Sequence, residues 1–304
     1  MTSLDERHPV IRPRRVTFDW TDVPLHWLGG NAFTTHMMNS LQLMLPAGER
    51  WFVHVYKQTL PLIDDERLHA ETKGFMGQEA VHARAHTPVY EHLKAHGLDA
   101  QEVSDKVEFV FTKMLGDTPP VPLRWMSKKR WLLIRVGIIA GIEHYTADMG
   151  RWILNADALD RAGVNPVMLD LFRWHGAEEV EHRSVAFDVY KYMSGNYPRR
   201  VLCMLGAFLG LCFALDQGVT YLLKNDPELA ERSRRENAKL KVGRRYRYWM
   251  RAAREGTLPS PFALAREIPT YLRRDFHPSA HGSTKQATDY LATSPAAKAA
   301  GYAD

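Results

Sequence analysis

"GFMGQEAVHARAH", residues 74–86, places Glu79, His82 and His86 at spacings of three and four. On an α-helix these positions fall close to one line along the rod. Turning a carboxylate and two imidazoles toward a core is costly unless each finds a partner. The stretch is therefore either a metal-binding face or a solvated one. A second stretch of the same kind, "HGAEEVEHRSVAFD" at 175–188, puts His175, Glu179 and His182 on one helical line.

Glu-x-x-His alone is weak evidence. The chain holds three occurrences, Glu66/His69, Glu79/His82 and Glu179/His182, where about one is expected by chance. Glu66 lies about 140° round the helix from Glu79, so the two cannot serve one centre. "DDER" at 64–67 reads as a helix N-terminus, where acidic side chains suit the helix dipole. The face of Glu79 also carries Leu68, Phe75 and Val89, and so points inward.

A dinuclear centre in a helical bundle needs two further carboxylates from two other helices. "GIIAGIEHYTADMG" at 137–150 offers Glu143 on a face of Val136, Ile139, Ala140 and Ala147. "LPAGERWFVHVY" at 45–56 offers Glu49 beside Phe52, Val53 and Tyr56. The order Glu49, Glu79/His82, Glu143, Glu179/His182 alternates single glutamates with Glu-x-x-His pairs, each on its own helix. That order carries the signal. The competing reading is a set of buried ion pairs and surface charges.

Four further residues are candidates for extra ligation or for support of the ligands. His86 and His175 each lie one turn beyond a core pair, Glu178 sits four residues before His182, and His144 neighbours Glu143 but projects about 100° away. Tyr56, Tyr145 and Tyr190 could hydrogen-bond to ligands, and Asp148 and Asp188 could orient imidazoles.

Helical periodicity dominates the chain, with one short alternating run, "RRVTFDW", near residue 18. Residues 1–30 read as an irregular arm and 31–197 as four long helices. The first, over 31–62, is expected to break at "LPAGE", with Pro46 starting a new segment. The second runs to His96, the third from a Ser127 cap to Leu159, and the fourth over 165–193. Residues 198–278 read as a C-terminal helical extension and 279–304, rich in Ala, Ser and Thr, as a loosely ordered tail.

Residues 201–215 are uninterruptedly apolar or Gly, followed by Asp216 and Gln217. Three readings stand for 201–223: a buried or oligomer-contact helix, a membrane-dipping segment, or a span. The basic segment 231–255 is a solvated helix or a surface that meets anionic lipid.

A chain of 304 residues, 45% hydrophobic, buries a large core. A net charge of +5 without a basic, aromatic-laced stripe does not indicate nucleic acid. Two cysteines, Cys203 and Cys212, exclude a disulfide scaffold and suit a reducing cytoplasm. No apolar h-region follows the N-terminal charges, so no signal peptide is evident.

"PAGERWF", "GFMGQEAVHARAH", "GIEHYTA", "HGAEEVEHRSVAFDVY" and "RRDFHP" resemble, in order, the motifs of the bacterial family labelled "predicted metal-dependent hydrolase". The ligand order is also similar to the ferritin-like di-iron carboxylate proteins. That resemblance implies an all-α, ferritin-like four-helix bundle with additional C-terminal helices. It implies two iron ions, or manganese or a mixed pair, on Glu49, Glu79, His82, Glu143, Glu179 and His182. The leading expectation is O₂-dependent oxidation of a hydrophobic small molecule, with an electron donor. Metal-assisted hydrolysis is the alternative, and iron storage or peroxide scavenging the third. A homo-oligomer is expected. His277, before Pro278, reads as a turn-fixing residue.

Overall fold

The computed structural model describes residues 10–121, 123–233 and 242–302. The chain is all-α. Among the described residues there is no strand; "RRVTFDW" is irregular, and a single isolated bridge joins Leu28 to Val164.

Four helices carry the site. The first, α1, is Ala32–Thr59, capped by the Asn31 side chain. It does not break at Pro46, which lies inside it. Proline removes one ladder hydrogen bond and crowds the preceding turn, at a cost of ~3 kcal/mol. The burial of Leu43, Met44, Ala47, Trp51 and Phe52 on either side offsets it. α2 is Glu66–His86, with Asp65 as its cap, and ends about three turns before the expected His96 because Pro88 interrupts it. A short α3, Val89–Ala95, follows, then α4, Gln101–Phe109.

α5 is Lys128–Leu154, with Ser127 accepting from the amide of Arg130 as its cap chemistry requires. After the short α6, Ala158–Arg161, comes α7, Pro166–His182, whose Asn165 cap accepts from two amides. A turn at Arg183 and Ser184 separates it from α8, Val185–Met193, where one continuous helix was expected.

α1 packs along α2 and touches α5, α5 packs along α7, and α2 meets α7 and α8. The contacts close into a ring. Two glycines permit its tightest seam: a Cβ at Gly150 would lie 2.3 Å from the carbonyl oxygen of Gly176, and one at Gly176 would lie 2.9 Å from the Cα of Gly150. Substituting either forces α5 from α7 beside His175 and Glu179.

α9, Tyr197–Asn225, lies against both α1 and α5. α10, Val242–Arg254, and α11, Pro261–Leu272, complete that side. Residues 234–241 of the basic segment lie outside the described residues. Over the described residues 279–302 the chain is mostly helical and packed, contrary to the expectation of a loose tail. α12, Thr284–Thr293, and α13, Pro295–Ala299, pack on α7. Their anchor is Asp170, which accepts from the Tyr290 hydroxyl, the Ser294 hydroxyl and the Ala296 amide. Small residues let these helices lie flush, so the composition that suggested looseness is what permits the packing.

Two apolar clusters flank the middle of the ring. One holds Met38, Val81, Ile153 and Val180; the other holds Phe52, Phe75, Ile139 and Val185. On α1, α2 and α5 a candidate ligand falls between residues of the two clusters, while on α7 Glu179 lies between Ala177 and Val180 of the first. The polar layer thus has apolar packing on two sides.

Candidate metal centre

Glu49, Glu79, Glu143, Glu179, His82 and His182 converge in this layer, each at most 3% exposed. They form two neighbouring groups. Atoms of Glu49, His82 and His175 lie within 4.8 Å of one another, and so do atoms of Glu79, Glu143, Glu179 and His182. Two glutamates join the groups. Glu179 Oε1 is 2.8 Å from His175 Nε2 and 3.6 Å from His82 Nδ1, while its Oε2 is 3.3 Å from His182 Nε2. Glu79 Oε1 is 3.6 Å from His82 Nδ1 and 3.4 Å from His182 Nε2.

The hydrogen bonds behind the imidazoles decide which nitrogen faces the cluster. Gln78 donates through its amide to Glu181 (2.6 Å) and to the Arg12 carbonyl (3.2 Å), which leaves its oxygen to accept from His182 Nδ1 at 2.9 Å. His182 therefore turns Nε2 toward the carboxylates, 3.3 Å from Glu179 Oε2 and 3.2 Å from Glu143 Oε2. His82 donates from Nε2 to Glu178 at 2.9 Å, leaving Nδ1 bare and without a hydrogen-bond partner. His86 donates from Nδ1 to the Gln42 oxygen at 3.2 Å, so its Nε2 accepts from His175 Nδ1 at 2.7 Å. His175 turns its Nε2 to Glu179 Oε1 at 2.8 Å and to Glu49 at 3.7 Å. Outer partners that fix a tautomer in this way are what metal-ligating histidines require.

Three imidazole nitrogens thus face four carboxylates. Both oxygens of Glu49, Glu79 and Glu143 are buried without any hydrogen-bond partner. Burial raises the carboxyl of Glu143 to about 7 and those of Glu49 and Glu79 well above the usual range, and the neighbouring carboxylates add to each. Burial pushes Glu179 the same way, but His182 and His175 more than offset it and hold it low. Burial lowers His82 and His86. Against burial, Glu179 and Glu143 raise His182. Orphaned acceptors of this number fit a pair of divalent cations, whose four positive charges equal the four carboxylates. Oxygen and imidazole donors suit iron or manganese.

Glu178 stands behind His82 instead of replacing Glu179. It is bound by Arg14 at 2.8 Å, which also reaches Glu181 at 2.9 Å. His86 likewise stands behind His175. His144 is not in the site: its Nε2 is 3.3 Å from the Glu267 carbonyl, and its ring packs on Tyr271 and Phe276. Its 100° offset from Glu143 sends it to the outer side of α5. The decoy Glu66 is exposed in the first turn of α2. Tyr190 donates to the Asn196 carbonyl, Asp148 pairs with Arg151, and Asp188 bonds His277, so none of them touches a ligand. His277 accepts from the Ser279 amide and fixes that turn.

Arg14, Gln42, Gln78 and Glu181 escaped sequence reasoning. The one available signal was Glu178 and Glu181, two acidic residues on an inward helix face that demand a cation. The arm reaches them because Gly74 and Gly77 admit Ile11 and Pro13 against α2; a Cβ at Gly74 would lie 2.4 Å from the Ile11 carbonyl oxygen.

A cavity of about 250 Å³ runs from the surface to this cluster. Glu49, Glu79, Glu143, His175 and Glu179 lie at its inner end. Most of the remaining wall is apolar, with Met38, Phe52, Ile142, Phe172 and Phe208 among its residues.

No curated protein and no solved structure matches the chain. A family model described as "predicted metal-dependent hydrolase" matches residues 12–282, which include every residue of the cluster and the Arg14 that braces it. The chain belongs to that family.

Proposed function

We propose that this chain is a dinuclear metal enzyme that oxidises a hydrophobic small molecule with O₂, using two iron ions and an external electron donor. Glu49, His82 and His175 would hold one ion, Glu143 and His182 the other, and Glu79 and Glu179 would lie between them. Iron held there would supply the electrons that reduce O₂. His175 joins the six expected ligands as a seventh.

The observation that supports this reading is the pairing of seven donors with an apolar cavity. Outside the donor set, the described wall offers only a few polar side-chain groups, among them Tyr145, Thr146 and Cys212. Such a wall orients a substrate by shape and excludes water from the inner end. Beyond groups such as the Tyr145 hydroxyl and Thr146 it offers an ester or amide few hydrogen-bonding partners. An unactivated hydrocarbon-like group needs none.

The family description favours a second reading, hydrolysis with a metal-activated water. Iron-loaded and zinc-loaded protein, assayed with and without air, separate the two. Oxidation requires iron and consumes O₂ faster when an apolar substrate is added. Turnover by the zinc form under nitrogen would replace the oxidation reading with hydrolysis. Uptake of many irons per chain, without substrate turnover, would favour storage.

A further inference from the structure

α9 buries one face and leaves another bare. Cys203, Met204, Ala207, Gly218, Val219 and Leu222 pack inward. On the opposite side Leu202, Leu209 and Phe213 are 70%, 65% and 68% exposed, with Gly206 and Gly210 open between them. The spacing 202, 206, 209, 213 makes one stripe over three turns. The helix is long and apolar enough to cross a membrane by length and composition, and only 22% of its most apolar window is buried. Its inner face nevertheless packs along α1 and α5, and at its N-terminal end the buried Arg200 donates to the carbonyls of Tyr271 and Arg273. A span would strip those contacts, whereas lying against a bilayer keeps them.

The stripe does not stand alone. Asp216, within a turn of Phe213, is paired with Arg245 of α10 at 2.7 Å. The next residue, Tyr246, is 39% exposed with its ring 6.2 Å from Phe262 of α11, itself 63% exposed. α10 further exposes Arg244, Arg247, Arg251 and Arg254, spaced three, four and three, of which Arg251 pairs with Glu255 at 2.9 Å. The result is an apolar stripe with aromatic side chains and a row of arginines beside it. These same three helices line the cavity, through Leu211, Cys212 and Leu215 of α9, Trp249 of α10, and Pro261 and Leu264 of α11.

We propose that this face docks on an anionic lipid bilayer: Leu209, Phe213 and Phe262 enter the acyl boundary and the α10 arginines meet lipid phosphates, at the side where the cavity opens. Apolar side chains flanked by arginine are the composition of interfacial helices. Contact with a second copy across a two-fold axis would bring the arginine row of α10 into the same interface as its own copy. Charge complementarity favours the bilayer. Binding depends on neither metal loading nor the reaction, so it can fail or succeed separately from the oxidation reading.

The test is co-sedimentation of the full, metal-loaded chain with vesicles of phosphatidylcholine alone or mixed with phosphatidylglycerol. Binding is expected chiefly to the anionic vesicles, weakening with salt. Each arginine removed should lower it about fivefold, so Arg244→Gln with Arg247→Gln should cost about 25-fold. Leu209→Ser with Phe213→Ser should weaken binding to the same vesicles, with an unchanged melting temperature because both side chains are exposed. No sedimentation with anionic vesicles would overturn the proposal, as would arginine variants that bind like the parent. A concentration-dependent dimer that Leu209→Ser and Phe213→Ser dissolve, without vesicle binding, would assign the face to self-association instead.

Discussion

Two clusters in this molecule combine buried histidine with carboxylate, and they differ in what their atoms lack. In the first, between α1, α2, α5 and α7, four glutamates meet three imidazole nitrogens, and six carboxylate oxygens have no hydrogen-bond donor. In the second, where α9 ends beside the chain before α1, His26 and His36 both donate to one oxygen of Asp226, at 2.7 and 2.8 Å. The other Asp226 oxygen accepts from the Glu228 amide. One carboxylate is saturated by three donors, and the cluster's one orphan is His36 Nδ1. Proximity alone would rank both as metal sites. Counting satisfied acceptors separates them: the first has charge and lone pairs without partners, and the second is a hydrogen-bonded clasp.

The largest effect that would break this contrast comes from removing metal. An ion at a thousandfold excess over its Kd stabilises by about 4 kcal/mol, and the proposed centre would hold two. Chelation is expected to lower Tm by on the order of 10 °C. A chelated protein that melts unchanged would mean that the carboxylates are neutralised by protons alone. Glu179→Ala should behave like chelation and bind neither ion, because Glu179 reaches both groups. Glu49→Ala and Glu143→Ala should each lose one ion of the two, read by elemental analysis after desalting. Loss of both ions in either variant would mean that the halves are not separable.

His175→Ala and His86→Ala sharpen the contrast further. Removing His175 takes away a donor and should empty the half it shares with Glu49 and His82. Removing His86 takes away only the acceptor of His175 Nδ1, and should weaken that half about 10- to 100-fold while the other half keeps its ion. Glu178→Ala should do the same through His82. Competition with a metal-sensitive dye reads both halves. Equal loss in His86→Ala and His175→Ala would make His86 a ligand.

Much of this site was legible because helical spacing is short-range physics. Glu-x-x-His at three residues, and His175 one turn before Glu179, fix a line on a helix whatever the rest of the chain does. Which of His86 and His175 touches the cluster was not legible, since Gln42, on another helix, sets the tautomer. The same holds for Arg14, whose partners Glu178 and Glu181 lie more than 160 residues away. Pro46 misled because a local cost of ~3 kcal/mol was set against a burial visible only in the packed ring. The tail misled for a related reason: its anchor, Asp170, belongs to α7.

The smallest effect belongs to the clasp. His26 is raised above its ordinary 6.5, first by its bond to Asp226, and Asp226 is held far below its ordinary 3.8 by His26 and His36, against the pull of burial. The raised histidine adds stability that is fully present below pH 6.5 and is lost as pH rises through its folded value. The depressed carboxylate adds stability that is present above pH 3.8 and is lost as pH falls through its folded value. Both contributions are fully present between these limits. His26→Gln should therefore cost about 1 kcal/mol near pH 5.5 and less by pH 8.5, measured by urea unfolding, while metal binding is unchanged. Asp226→Asn should show its own penalty shrink below pH 3.8 and also as pH rises through the folded value of His26, which Asp226 raises. A His26→Gln variant that lost metal would erase the distinction between the two clusters, because the clasp would then be a ligand set and satisfied acceptors would no longer mark a site without metal.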